Sequence, residues 1–260
     1  MPAVRPRLLA AAALLVTLSA CGGRGFGRQY EYDQQIYLNA DGSAAVMLNA
    51  SVPALIVLHG LTLNPEARAR IDRDAVRAIV SEPGLEITRV SRPWRRNGRQ
   101  FIQIRAEIDD VGRLGSTRLF RGSTYGVATT AEGTREYRQL VGAPSGTPPA
   151  ATGWDGSELV AFKLHLPSRV HAHNVRVLET NQTGTVERGN ILTWEQRLSD
   201  RLQGKPIDMR VSMEGGSILY RTLSLFALSF GAAIVLLGGI VWMVIRRGRR
   251  RSIQAADTRS

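Results

Sequence analysis

Apolar positions change their spacing along this chain, and the changes divide it into parts. Leu8 to Leu18 is apolar except for Thr17, with Arg5 and Arg7 ahead of it and Ser19-Ala20-Cys21 behind. Eleven helical residues rise about 16 Å, half of a ~30 Å hydrocarbon core. The pattern is therefore the charged head, short apolar core and small-residue cleavage site of a secretory signal, residues 1–20, and not a permanent span. Gly22, Gly23, Gly25 and Gly27 follow in a flexible tether, residues 21–28. Near the other end, Leu223 to Ile245 runs 23 residues without a charge, enough to cross a bilayer with modest tilt.

Between these ends the period is mostly two. Glu31 to Leu38 alternates, Asp41-Gly42 breaks it, and Ala44 to Val52 resumes an extended pattern, which predicts a hairpin because the turn demands positive φ. Asn64-Pro65-Glu66 supplies an N-cap, a first-turn proline and a first-turn acid, predicting a helix to Val80 that ends at Pro83-Gly84. Leu85 to Ser91 and Gln100 to Ile108 read as strands around a tip that turns at Asn97-Gly98. Further strands are predicted at Ser123–Thr130, Thr134–Val141, Leu159–Leu166, Val175–Glu179, Thr185–Arg188, Ile191–Leu198 and Ile207–Met213. The Pro-rich stretch Gly142 to Gly156 reads as one long exposed loop within a single domain. The expected fold class is α+β: a mostly antiparallel sheet with one main helix in a single ectodomain, residues 29–215, plus one C-terminal transmembrane helix, residues 223–245.

Charge sharpens the topology. The chain carries a formal +12, but Arg246, Arg247, Arg249, Arg250 and Arg251 follow the apolar run directly. Counted over Gly22 to Thr222, 26 basic residues face 21 acidic ones, so the basic excess is largely topological and a nucleic-acid partner is not expected. The arginines flanking the run predict a cytoplasmic tail, residues 246–260, and the signal predicts an extracytoplasmic domain; the two agree on a single-pass protein of the cytoplasmic membrane. Gly231 and Gly238 share a face of the run and offer close helix approach, hence self-association or contact with a membrane protein partner. Cys21 is the one cysteine, so the domain folds without a disulfide.

Candidate chemistry is sparse. Val57-Leu58-His59-Gly60 is like the oxyanion loop of α/β-hydrolases, but no Gly-x-Ser-x-Gly elbow accompanies it, and His59 reads as a strand-end residue. His171 and His173 lack the further ligands a metal would need. Asp109-Asp110 fits a helix start better than a catalytic pair. No catalytic residue, metal or cofactor is expected, and the chain is read as not an enzyme, with a hydrolase the remote alternative. The candidate site is the hairpin tip: Arg92, Trp94, Arg95, Arg96 and Arg99 combine guanidinium groups that grip phosphate with an indole that favours the interface, a pattern suited to anionic lipid headgroups. The competing reading is a solvated tip whose Trp94 folds back on the domain.

Leu18-Ser19-Ala20-Cys21 resembles the lipobox of bacterial lipoproteins, in which the Cys thiol takes a diacylglycerol; Cys21 is the candidate lipidation site. The lipobox, the Tyr32-to-Ser43 hairpin motif and the terminal span with its basic tail together resemble the LppM-type family of envelope lipoproteins, as does Asn181-Gln182-Thr183-Gly184 followed by Gly189 to Trp194. The resemblance implies an α+β ectodomain without enzymatic activity that binds an envelope lipid or glycolipid, with Trp194 in the core. A structural or assembly subunit of an envelope membrane complex is the alternative. An apolar pocket rimmed by arginines favours lipid, a flat apolar patch a protein partner, and a polar cleft with clustered titratable groups an enzyme.

Overall fold

The structure, a computed structural model, describes residues 28–150, 152–216 and 218–257. The signal run, the tether before Arg28 and Cys21 lie outside the described residues.

Two sheets share one core. The first joins β1 (Tyr30–Leu38), β2 (Ala44–Ser51), β3 (Glu86–Val90), β4 (Trp94–Arg96), β5 (Arg99–Ile108), β8 (Leu159–His165) and β10 (Ile191–Arg197), in the order β10-β8-β1-β2-β5-β3 with β4 also on β5. The second joins β6 (Ser123–Thr129), β7 (Arg135–Val141), β9 (Val170–His173) and β11 (Ile207–Met213), in the order β6-β7-β11-β9. Pairing is antiparallel except between β1 and β8, which run parallel with Gln34 opposite Phe162. The α+β class stands.

The predicted β1–β2 hairpin forms, with Ile36 opposite Val46 and Gly42 at φ 93°. Its alternation places Tyr32, Gln34, Ile36 and Leu38 inward and leaves Asp33, Gln35 and Tyr37 on the outer face. Inward residues of the first sheet (Leu48, Ile102, Ile104, Leu164, Leu192) and of the second (Tyr137, Met209, Val211, Met213) belong to one hydrophobic cluster. Trp194 is buried in it, as expected.

Three local expectations are corrected. The extended run into Val52 ends at Ser51, and Val52–His59 is a helix, α1. Ser51 Oγ caps it by accepting from Ala54 N–H at 3.2 Å, and Gly60 closes it at φ 65°. An unbroken apolar run has no polar face to reveal its period, so helix and buried strand look alike in sequence. The helix predicted from Asn64 begins only at Arg73 and ends at Val80 (α2). Asn64 instead caps an isolated turn through Glu66 N–H, and Asp72 Oδ1 takes the true cap with bonds from Asp74 and Ala75 N–H. Among the described residues the domain thus has two eight-residue helices where one main helix was expected, plus the five-residue α3 (Leu198–Leu202). Third, Val175–Glu179 and Thr185–Arg188 are not strands; they contribute the isolated bridges Arg176↔Thr183 and Glu187↔Ile191. Asn181 and Arg188 adopt left-handed φ of 55° and 51°, doubling the chain back on itself.

The Pro-rich loop is tied to α1. Its start is pinned to the end of α1, where Gly146 N–H donates to Val57 O at 2.9 Å and Ser145 Oγ donates to Leu58 O at 3.3 Å.

After Met213 the chain enters α4 (Ile218–Asp257), 40 residues long. Its stretch Thr222–Met243 is 22 residues of apolar helix, with none of the most apolar window buried against the domain. The helix continues through the arginine cluster that sequence assigned to a tail.

Candidate functional site

Strand alternation gives the first sheet an outer face that is polar and only partly covered. Asp33, Gln35 and Tyr37 of β1, Asn49 of β2, Gln103 of β5, Lys163 and His165 of β8, and Glu195 of β10 lie on it. The doubled-back segment 175–188 roofs part of this face, enclosing a groove of about 570 Å³. The roof is held close. Gly184 N–H donates to Val175 O at 3.0 Å, and a Cβ on Gly184 would meet Val175 Cγ1 at 2.5 Å.

Two of the groove's cations, Arg28 and Lys163, are paired, whereas Arg176 and Arg188 on its wall are exposed and make no ion pair among the described residues. Arg28 bonds Glu179 at 2.5 Å and also Glu195, to which the Tyr30 hydroxyl donates as well. Lys163 Nζ lies 3.3 Å from Asp33 Oδ1 and 4.9 Å from the Tyr30 ring centroid. Gln35 Nε2 donates to Asp33 Oδ2 at 2.7 Å, and Tyr37 O–H donates to Gln35 Oε1 at 2.9 Å. The Tyr37 ring stacks on His165 at 4.0 Å between centroids. Burial, then the Lys163 charge, holds the His165 imidazole below its usual pKa. Burial and the bond to Glu195 push the Tyr30 phenol well above its usual value. The result is a polar cleft offering an amide, hydroxyls, paired ions, two exposed guanidinium groups and an aromatic face.

The arginine tip divides in two. Arg92 and Arg95 are exposed, and Trp94 is 39% exposed with one face stacked on Phe101 at 5.8 Å. The other two arginines turn inward, which corrects their assignment as headgroup ligands. Arg96 lies over the Phe101 ring at 4.3 Å and donates to Tyr30 O. Arg99 is buried, with Nε 2.9 Å from Glu31 Oε1, Nη2 3.6 Å from Glu158 and Nη1 donating to Gly153 O at 2.5 Å. Trp154 Nε1–H donates to Glu31 Oε1 at 2.9 Å, completing the cage. The reason is register: Arg99 opens β5, and its side chain falls onto Glu31 and the loop before β8. Sequence spacing gives no hint of that partner 68 positions away.

A third polar group is interior. His59 ends α1, not a strand, and its Nε2 lies 3.0 Å from the Tyr32 hydroxyl, which donates to Gln34 Oε1 at 2.9 Å. Arg201 of α3, 2% exposed, donates to Lys205 O at 2.7 Å. The space among them is about 20 Å³, room for one water. Burial first, with Arg201 adding to it and the Leu119 backbone opposing, holds the His59 pKa down at about 4. His171 and His173 sit on β9, where His173 Nδ1 accepts from Val175 N–H at 3.3 Å.

Sequence reading missed the groove. Its floor joins β1 to β8 across about 130 positions, and the polar half of the β1 alternation carries no mark separating a binding face from a solvated one.

No protein-family model matches this chain, and no curated protein matches it. Among solved structures it is similar to the folded domain of LppM from Mycobacterium tuberculosis, determined by NMR, at 11% identity and a TM-score of 0.35, covering 72% of this chain and 95% of that one. At that TM-score the likeness carries no argument about function. The LppM-type resemblance read from the lipobox, hairpin and terminal run thus meets a neighbour of the same kind, at a similarity too low to show membership.

Proposed function

We propose that the chain is a non-enzymatic envelope lipoprotein, held by an acylated Cys21 and a single span, whose extracytoplasmic domain recognises the polar head of an envelope lipid or glycolipid. The observation that carries the reading is the exposed apolar helix Thr222–Met243. An uncharged, mostly apolar stretch of 22 residues left facing water is costly, whereas in a bilayer the same surface is solvated. The arginine cluster that follows favours the cytoplasmic side by the usual charge bias. A domain tethered there meets lipid heads at high local concentration.

The groove beside β1 and β8 suits such a head. Arg28, Lys163 and Glu195 are held by their ion pairs, the exposed Arg176 and Arg188 on the groove's wall suit a hydroxyl-rich or phosphate-bearing head, and the Tyr37–His165 stack beside it offers a flat apolar face. Native mass spectrometry of the detergent-extracted protein is expected to show a co-purifying lipid, reduced by Lys163→Ala and by Glu195→Gln. Protein released by alkaline carbonate would remove the anchoring. The polar, titratable character of the groove also fits the remote hydrolase reading; turnover of a lipid ester or glycoside that Glu195→Gln abolishes would replace binding with catalysis. Self-association through Gly231 and Gly238 of α4 is the assembly alternative, and crosslinking that yields monomers at native expression level would remove it.

A further inference from the structure

We infer that the domain leans along the bilayer, so that the Arg92–Trp94–Arg95 tip, at the pole opposite α4, docks onto anionic headgroups. The inference rests on the double anchoring proposed above.

The two ends of the domain leave from opposite poles. α4 departs beside the β1–β2 turn: Arg135, paired with Met213, donates to Ala40 O at 2.7 Å, and Ser168 Oγ donates to Gly216 O at 2.8 Å. Arg28 lies at the other end of β1. There Asn97 Nδ2 donates to Gln29 Oε1 at 3.4 Å and Arg96 donates to Tyr30 O, so the tip and the start of the domain form one pole. The nine residues of β1 separate the poles by about 26 Å at ~3.3 Å per step.

The chain between Cys21 and Arg28 is too short to bridge that distance comfortably. Seven steps reach at most about 24 Å when fully extended, and a Gly-rich chain of that length averages about 15 Å. With α4 fixing one pole at the membrane, an upright domain would overstretch the tether. A typical tether length holds Arg28 within about 15 Å of the surface, a tilt of β1 to roughly 35° from the membrane plane. The tip moves with Arg28.

What arrives there has the chemistry of an interface contact. Arg89, Arg92 and Arg95 make no ion pair among the described residues. Among the described residues outside α4, three large hydrophobic side chains stand out as exposed: Tyr37, Trp94 and Leu140. Of these, Trp94 is the one flanked by arginines. An indole at headgroup level between guanidinium groups matches an anionic lipid surface.

The test uses the full acylated chain with Trp242→Phe, which removes the tryptophan of the span and leaves the half-buried Trp154 and the buried Trp194 as background. It is reconstituted in phosphatidylcholine vesicles containing a minority of phosphatidylglycerol, brominated near the headgroup. Bromine is expected to quench an emission component that disappears on adding Trp94→Phe. That component is expected to fall at least about twofold with Arg92→Glu and Arg95→Glu together, or when about twenty Gly/Ser residues inserted after Gly27 slacken the tether. Identical quenching with and without Trp94 overturns the inference, as does a component indifferent to both the charge reversal and the slack tether. Flotation separates the two layers of the reading: a chain that fails to float with the vesicles overturns the anchoring itself, whereas a floating chain with unquenched Trp94 overturns the lean alone.

Discussion

His59 offers the sharpest quantitative test, because its burial ties the stability of the fold to pH. The imidazole ends α1, contacts the Tyr32 hydroxyl at 3.0 Å and packs edge-on to Phe120 at 6.0 Å. Burial holds its pKa at about 4, against 6.5 for a free histidine. Above about pH 6.5 the ring is neutral in both folded and unfolded chains, and the full stability is present. As pH falls below that, the unfolded chain takes up the proton and the folded one resists, so stability is lost until about pH 4, where the folded ring also titrates and the loss levels off. At about 1.4 kcal/mol per tenfold change in proton affinity, the interval corresponds to about 3 kcal/mol, trimmed toward ~2 by the ring's partly open edge. His165 and His173 are also held low, chiefly by burial, and add slope of the same sign. The comparison is therefore between the wild-type chain and His59→Gln, in mild detergent, by urea titration followed through tryptophan emission. The variant is expected to start less stable near neutrality and to lose about 2–3 kcal/mol less on acidification. Parallel stability curves for the two proteins would refute the assignment of a buried neutral imidazole.

Other perturbations reach different parts of the fold. Arg99→Met leaves Glu31 buried without its cation and is expected to cost about 3–5 kcal/mol, about 10 °C in Tm for a domain of this size, with partial recovery on adding Glu31→Gln. Arg92→Met, on the exposed side of the same tip, is expected to change stability by less than about 0.5 kcal/mol in the same melt. Gly146→Ala would bring a Cβ within 2.0 Å of Ile56 O and is expected to loosen the Pro-rich loop from α1, visible as new proteolysis within 142–156; Gly126→Ala, with nothing within 4 Å, is the neutral control. Asp72→Ala removes the cap bonds to Asp74 and Ala75 and is expected to cost about 1 kcal/mol by urea titration.

Local signals survived contact with the structure wherever the physics was local. Asp41-Gly42 and Asn97-Gly98 turn as expected, with Asn97 at φ 48° and Gly98 at φ 72°, because left-handed backbone is set by the residues themselves. The alternation of Glu31–Leu38 gave the strand and its inward side, and the uncharged run before the arginines gave the long apolar helix. α1 was misread because a continuous apolar segment carries no period, and its helical state is decided by what buries it, namely β2, β5 and the 118–120 turn. The helix start moved from Asn64 to Asp72 because both residues have capping chemistry, and only packing of Val76 and Val80 into the core selects between them.

The chemistry of the surface divides along the same line. Sequence alone set the composition of the tip, five candidates in eight positions from Arg92 to Arg99. Tertiary structure decided their fates: Glu31 and Glu158 claimed Arg99, Tyr30 and Phe101 claimed Arg96, and Arg92, Trp94 and Arg95 were left to solvent. The groove belongs wholly to the tertiary level, since its floor comes from β1, β8 and β10 and its roof from a segment that looked extended in sequence. Hydrophobic run length and turn chemistry act over a few residues, so the chain itself fixes where its apolar helix and hairpins fall. A buried ion pair or a cleft depends on which distant strands become neighbours, and only the common core of the two sheets decides that.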